Sequence, residues 1–351
     1  MTSEIKTIED VRNIAREKLK GICGVYKDCD GDPGRLCQGQ SYGRALGIGG
    51  IGSGVSFNNN FLALRKYKLK MELIGEDFTP NTSYNFFGRE LSMPIMAASV
   101  AGVNSFGGEK VISEEEFCRS VILGCRDAGT LGWRGDTYTY SIEDSYGLNA
   151  IAEAGGLGVK IVKPRDQGTI MQFFNKAEDV RCVAVGIDVD GCGSYAMAKH
   201  NEPVFKKSLE ELKELISSTT LPVIIKGIMS VEDALLAIEA GAAAIVVSNH
   251  GGRVLDHTPG TAEVLPNIVK EIKGKIKIII DGGIRTGYDV LKMLALGAES
   301  VLIGRDIIRA SVGGGIKGVQ IHMEYMQQAL TKAMKMTNCK SLLEISPDIL
   351  C

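Results

Sequence analysis

The strongest constraint in this 351-residue chain is an alternation that begins near residue 94. Short runs rich in Val and Ile recur at Pro94–Ala98, Thr130–Trp133, Val159–Lys163, Val183–Asp188, Val223–Lys226, Ala244–Asn249, Ile276–Asp281 and Ser300–Gly304. Between them lie segments with helical spacing of apolar residues: Ser113–Ala128, Ser141–Ala154, Asp166–Glu178, Leu209–Ser218, Val231–Ala240, Ala262–Lys273 and Tyr288–Leu296. Strictly alternating strands and helices require right-handed crossovers and a parallel sheet. Eight such units predict a closed (β/α)8 TIM barrel, an α/β fold, rather than an open doubly wound sheet. Two stretches repeat one helix-strand unit: SVEDALLAIEAGAAAIVVSNHG at Ser230–Gly251 and TGYDVLKMLALGAESVLIGRD at Thr286–Asp306. Such self-similarity is expected of a barrel built from repeated units.

The rest of the chain is an extension around that barrel. Residues 1–55 are expected to form an N-terminal helix followed by a Gly/Cys-rich segment, and residues 56–351 the barrel with a C-terminal helix. In the first helix Ile8, Val11, Ile14, Ala15 and Leu19 share a face, and its charges are unlike the apolar core of a signal peptide. No apolar run reaches the roughly 20 residues that a membrane span needs. The expected address is therefore cytoplasmic. A formal net charge of -2 gives no support for a nucleic-acid binder working by bulk electrostatics. Nine cysteines, an odd number irregularly spaced, suit reduced thiols. Cys23, Cys29 and Cys37 lack a C-x-x-C pair or a nearby histidine, so free thiols in a loop are expected there rather than a metal site. Ser56–Leu69 reads as a helix leading into a strand pair that caps the barrel floor, and Gly318–Met336 as a long packing helix.

In a parallel barrel the reactive groups gather where the strands end. Three ends are dense with polar residues: Lys226-Gly227, the run Ser248-Asn249-His250-Gly251-Gly252-Arg253 with Asp256 beyond it, and Asp281-Gly282-Gly283-Ile284-Arg285. The last strand echoes the third with Gly304-Arg305. Glycines let backbone N–H groups approach an anion, the following helix presents its positive end, and Arg285 or Arg305 adds charge, so these two ends predict a phosphate site. His250 is the acid/base candidate, whereas His200, His257 and His322 read as structural. An imidazole can take a proton near neutral pH, with Asp256 or another carboxylate stabilising the imidazolium. Arg253 suits a planar carboxylate through bidentate pairing. Lys226 could stabilise negative charge, or act as a Schiff-base nucleophile.

SNHGGRVLD at Ser248–Asp256, with LPVIIKGIMSVEDA before it and DGGIRTGYDVLKMLALGAESVLIGR after it, resembles the FMN-dependent α-hydroxy-acid oxidase and dehydrogenase family, which includes glycolate and lactate oxidases. The similarity is densest over Leu221–Arg309 and is recognisable from Ser53 (SGVSFNNNFLALRKYKL) to Ser341–Ile345 (SLLEI). The resemblance implies FMN as cofactor. It places Ser99, Val100 and Ala101 against the flavin, Lys226 near its N1 and C2 carbonyl, and Ser248 in contact with it. Asp281, Gly282, Gly283, Ile284, Arg285, Gly304 and Arg305 would hold the ribityl and phosphate groups. His250 would be the base and Arg253 the substrate carboxylate's partner, for oxidation of a small 2-hydroxy acid to the 2-oxo acid. Proton removal from the hydroxyl with hydride transfer to flavin N5, and removal of the C2 proton, both fit. The implied acceptor is oxygen, a quinone or an electron-transfer protein, and a homotetramer is a candidate assembly.

The departures from the family pattern fall on the substrate side. Where the family has a tyrosine pair before the opening Ser-Gly, this chain has Gly50 and Ile51. The Gln-x-Tyr of strand three aligns with Lys160 and Val162; Lys160 is expected among the cofactor-binding residues and is a candidate replacement for the missing substrate partners, with Tyr26 and Tyr42 as others. A second substrate arginine has no match in DVDGCGSYAMAKH. Alternatives are an FMN-barrel enzyme of another reaction type, such as an isomerase, and a flavin-binding protein without turnover.

Overall fold

The structure, a computed structural model, describes residues 5–20, 49–139, 142 and 145–351. Cys23, Cys29, Cys37, Tyr26 and Tyr42 lie outside the described residues, as does Ser141, the expected start of one helix. A hairpin comes first, β1 (Tyr84–Phe86) paired antiparallel with β2 (Arg89–Leu91). Eight parallel strands follow: β3 (Ile95–Ala97), β4 (Gly132–Arg134), β5 (Gly158–Val162), β6 (Ala184–Asp188), β7 (Val223–Ile228), β8 (Ala244–Val247), β9 (Lys277–Ile280) and β10 (Ser300–Ile303). They pair in chain order, and β10 pairs with β3 to close the barrel. Each expected strand is present, most trimmed by a residue or two at the ends, and the expected helices alternate with them.

The barrel interior follows from the two-residue period of strands. Met96, Trp133, Val159, Ile161, Ala184, Ile224, Val246, Ile279 and Leu302 pack inside, joined from below by Phe86 and Leu91 of the hairpin, which seals the floor. Their neighbours Ile95, Val162, Val185, Ile225, Ile245, Ile278 and Val301 face outward and pack with the helices. Extending the inward register toward the C-terminal mouth, two steps from Ala184 past Gly186 and one step elsewhere, reaches Ala98, Gly135, Lys163, Asp188, Lys226, Ser248, Asp281 and Gly304, one at or just past the end of each strand. Below this ring the interior is apolar; at it, five of eight positions carry a charge or a hydroxyl.

The helix Val55–Lys66 crosses the same end of the barrel. The N-terminal helix Ile8–Leu19 is capped by a Thr7–Asp10 box and buries Ile8, Val11, Ala15 and Leu19, while Ile14 is only half-buried. That face lies on the last helix, Arg305–Met336, which is longer than expected and is kinked where Gly315 leaves helical geometry at φ 57° and ψ -141°. Among the described residues no helix is long and apolar enough to cross a membrane. Cys118, Cys125 and Cys182 are buried, and burial pushes each thiol up to about 12, which keeps them protonated and inert.

Candidate active site

Two cavities meet over the ring. The inner one is lined by Ser99, Val100, Ala101, Lys226, Asp281, Gly282, Gly283, Ile284, Arg285, Gly304 and Arg305, with apolar walls from Phe61, Leu302 and Ile308. The outer one is lined by Asn104, Asp136, Tyr138, Lys163, Met197, Lys199 and His200. His250 and Arg253 line both, as do Ala101 and Ser105.

The loop after β8 achieves this by a sharp reversal. His250, Gly251 and Gly252 take φ of 57°, 62° and 75°, a run of left-handed residues in which the histidine alone is not glycine. Such backbone strain is tolerated where the surroundings enforce it. Two close approaches do so. A side chain on Gly251 would meet Arg305 Nη1 at 2.5 Å, and one on Gly252 would strike the Phe57 backbone nitrogen. Asn249 bonds to Asn60 and Thr258 and accepts from the Gly252 N–H, and the His250 N–H donates to Ser248 Oγ. Arg253 donates to the carbonyls of Gly49 at 2.9 Å and Ser105 at 2.8 Å. Its guanidinium is thereby held at the join of the two cavities.

Asp256 does not serve His250. It accepts from Ser53 N, Ser53 Oγ, Ser56 N and His257 N at 2.6–3.1 Å, tying the loop to the start of the Val55–Lys66 helix. Burial opposes its charge, but these donors outweigh that and hold the carboxyl at about 2. The carboxylates facing His250 come instead from the end of β6, Asp188, and from the turn just after it, Asp190. Nδ1 lies 3.0 Å from Asp190 Oδ1 and 3.4 Å from Asp188 Oδ2. Sequence reasoning sought an arginine in DVDGCGSY and passed over its two aspartates; their position at the end of a buried strand was the available signal.

Lys226 is buried, with Nζ 3.2 Å from Asp188 Oδ1, 3.2 Å from Ser248 Oγ and 3.7 Å from Asp281 Oδ2. Burial works against its charge, yet Asp188, Asp281 and Asp190 outweigh it and raise the pKa above the ordinary lysine range. An ammonium held among Asp188, Asp281 and Ser248 suits a fixed cation better than the Schiff-base role. Lys163 is also buried and sits 2.6 Å from Asp188 Oδ2. Asp188 thus lies between two ammonium groups; burial opposes its ionisation, but His250, Lys163 and Lys226 keep it well below the usual carboxylate range. Asp188, Asp190 and His250 could geometrically surround a metal ion. The two lysines already neutralise Asp188 and would repel a cation, so the trio is read as an acid/base cluster.

Lys160 is not among the residues lining either cavity. Val159 and Ile161 point into the barrel, so Lys160 points out, where Nζ donates to the Gly135 carbonyl at 2.7 Å and lies 5.2 Å from the centre of the Phe173 ring. Burial lowers its pKa, partly offset by Asp136. The inward pair on this strand is Ile161 and Lys163, one residue out of step with the expected Lys160 and Val162.

The inner cavity matches a hydroxylated, phosphorylated, planar ligand. Asp281 Oδ1 is buried with no hydrogen-bond partner among the described residues, an acceptor that a ribityl hydroxyl would satisfy. Gly282 and Gly283 adopt φ of 101° and 77°, and side chains there would meet Thr261 Oγ1 and the Asn60 carbonyl at 2.7 Å. Gly304 starts the last helix with no side-chain cap, leaving its N–H groups for an anion beside Arg285 and Arg305. Lys226 supplies positive charge deeper in.

A closed barrel with a phosphate cradle, a buried lysine and a histidine at its C-terminal mouth defines a flavin-type barrel oxidoreductase. The sequence matches the FMN-dependent dehydrogenase model over residues 45–201 and 193–351, and the chain belongs to that family. It is 31% identical over 331 residues to 4-hydroxymandelate oxidase of Amycolatopsis orientalis, covering 84% of this chain and 89% of that protein. It is 30% identical over 329 residues to 2-hydroxyacid oxidase 2 of Rattus norvegicus, covering 85% and 90%. A crystal structure of mandelate oxidase aligns with a TM-score of 0.76 at 28% identity, covering 99% of this chain and 98% of that one.

Proposed function

We propose that the protein oxidises a small 2-hydroxy acid to the 2-oxo acid, with FMN in the inner cavity and the substrate in the outer one. The carrying observation is that His250 and Arg253 line both cavities, so a base and a carboxylate partner stand where the two ligands would touch. The names of the relatives, 4-hydroxymandelate oxidase and 2-hydroxyacid oxidase, support the substrate class.

FMN, when bound, accepts the electron pair. Gly282, Gly283, Gly304, Arg285 and Arg305 would hold its phosphate and ribityl chain, with Asp281 accepting from a hydroxyl. Ser99, Val100, Ala101 and Ser248 would contact the ring, and Lys226 would stabilise negative charge on it. On the substrate side, Arg253 pairs with the carboxylate and fixes the orientation of the 2-carbon. His250 turns Nδ1 to the β6 carboxylates, leaving Nε2 to take the hydroxyl proton. The developing imidazolium is stabilised by those carboxylates. Lys163 adds a cation to the outer cavity.

The test mixes the purified yellow protein, without oxygen, with a panel of 2-hydroxy acids. Bleaching of the flavin by at least one supports the reading; failure of all of them with bound FMN overturns it. Oxygen, a quinone or an electron-transfer protein is then assigned as acceptor by which of them restores the colour, and gel filtration tests the homotetramer.

A further inference from the structure

The outer cavity carries more positive charge than the single carboxylate of a simple 2-hydroxy acid would neutralise. Among the described residues that line it are Lys163, Lys199 and Arg253, but only one carboxylate, Asp136. Asp136 is buried and fully engaged: it accepts from Arg165 Nε at 2.8 Å, Arg165 Nη2 at 3.2 Å and the Lys163 N–H at 3.1 Å. Lys163 is neutralised by Asp188 at 2.6 Å. Arg253 stands at the join with the inner cavity, where the carboxylate beside the reacting carbon would lie. Lys199 ends the short helix Tyr195–Lys199, is exposed, and has no ion-pair partner among the described residues. A continuous chain of contacts runs from it. His200 follows Lys199 and stacks flat on Tyr138, with ring centres 3.6 Å apart and 5° between the planes. Stacking occupies the ring faces and leaves the in-plane nitrogens for hydrogen bonding. Thr139, next to Tyr138, accepts from Asn104 Nδ2 at 3.0 Å, and Asn104 Oδ1 is buried with no partner among the described residues. A hydroxyl can bond either end of an amide, so turning the Asn104 amide over would keep Thr139 and offer an N–H₂ group to a ligand. Buried Arg165 braces both walls, donating to Asp136 and to the Thr137 carbonyl at 3.0 Å on the β4 side, and to Glu202 at 2.6 Å just beyond the Lys199 helix.

We propose that the wall formed by Lys199, His200 and Asn104 is a second anion subsite, with Lys199 as its specificity-determining residue, and that the 2-hydroxy acid taken here is a dicarboxylate. One carboxylate pairs with Arg253 and sets the 2-carbon beside His250; the other pairs with Lys199. An uncharged tail would leave the Asn104 amide atom buried without a partner and the ammonium without a counter-charge. A carboxylate tail answers both through charge-assisted hydrogen bonds. The bracing by Arg165 means that the wall is ordered before the ligand arrives, so less freedom is lost on binding. The inference rests on the outer cavity being the substrate site and names the substrate class of that site.

The test follows anaerobic flavin reduction in the holoenzyme with 2-hydroxybutanedioate and 2-hydroxypentanedioate, each against its neutral amide at the far carboxyl, and with 4-hydroxymandelate. At least one diacid should half-saturate at a concentration about 10-fold below that of its amide, the weight of a charge-assisted hydrogen bond. Lys199→Gln should cut that ratio to about 3-fold or less, and Lys199→Glu should reverse it. FMN content and the thermal unfolding midpoint serve as the fold check, which an exposed side chain should pass. Amides that saturate as readily as the diacids, a lower half-saturating concentration for 4-hydroxymandelate than for either diacid, or a ratio unchanged in both Lys199 variants overturns the subsite. If no hydroxy acid reduces the flavin, the functional reading fails, and the subsite is decided without turnover. For that arm 2-oxopentanedioate and 2-oxopentanoate are titrated into the oxidised holoenzyme and read by the change in flavin absorbance. Diacid binding about 10-fold tighter, lost in Lys199→Gln, supports the subsite; equal binding of the two overturns it.

Discussion

Replacing Asp256 with asparagine should cost about 2 kcal/mol of stability at neutral pH, although the side chain touches neither cavity. The magnitude comes from its folded-state acidity. The carboxyl is held at about 2 against an ordinary 3.8, a depression equivalent to about 2 kcal/mol. The contacts agree: Ser53 and Ser56 supply three donors at 2.6–3.1 Å, and asparagine would turn an N–H₂ group toward one set of them. Because the folded value is depressed, the contribution is complete above the unfolded value of 3.8 and disappears as the pH falls through about 2. Urea unfolding of wild type and variant should therefore show a constant gap from pH 7 to about pH 5, shrinking to roughly half by pH 3. A gap below about 0.5 kcal/mol at pH 7, or one that does not change with pH, would refute the reasoning.

His250→Asn should keep FMN but slow anaerobic reduction by at least about 100-fold, the weight of a general base, measured by stopped-flow absorbance. An unchanged rate would put the base elsewhere. Arg253→Lys should raise the half-saturating substrate concentration several-fold with a smaller change in maximal rate, since the planar fork is lost; identical saturation curves would remove its pairing role. Gly283→Ala should strip flavin from the protein during gel filtration, because its side chain would press on the Asn60 carbonyl at 2.7 Å from a left-handed backbone. Full retention would mean that the cradle does not depend on that close approach.

The fold was readable because buried parallel strands are runs of Val and Ile, and eight of them leave few topologies. The expected ends overshot at Lys163, Asn249, Asp281 and Gly304, which continue the chain direction but leave the ladder to serve the mouth. The SNHGGR run was readable as chemistry because histidine and arginine so close together have few other uses. The strand-three lysine was misread by one step. Lys160 sits inside the β-branched run that Lys163 ends, and only the packing of Val159 and Ile161 inside the barrel shows which of the two points inward. Asp256 was misassigned because sequence proximity favoured it, whereas the partners of His250 lie 60 residues upstream. Such long-range pairing leaves no local pattern.

The contact between the first and last helices constrains how the molecule can be made. Lys18 reaches the Val312 carbonyl across 294 positions, and Gly313 passes so close to Val11 that any side chain there would strike its carbonyl oxygen. The apolar stripe of Ile8–Leu19 therefore meets its last-helix partner only after Val312 has been synthesised, and β3 likewise waits for β10. Pairing of such distant segments raises the contact order of the fold, which slows folding relative to local packing.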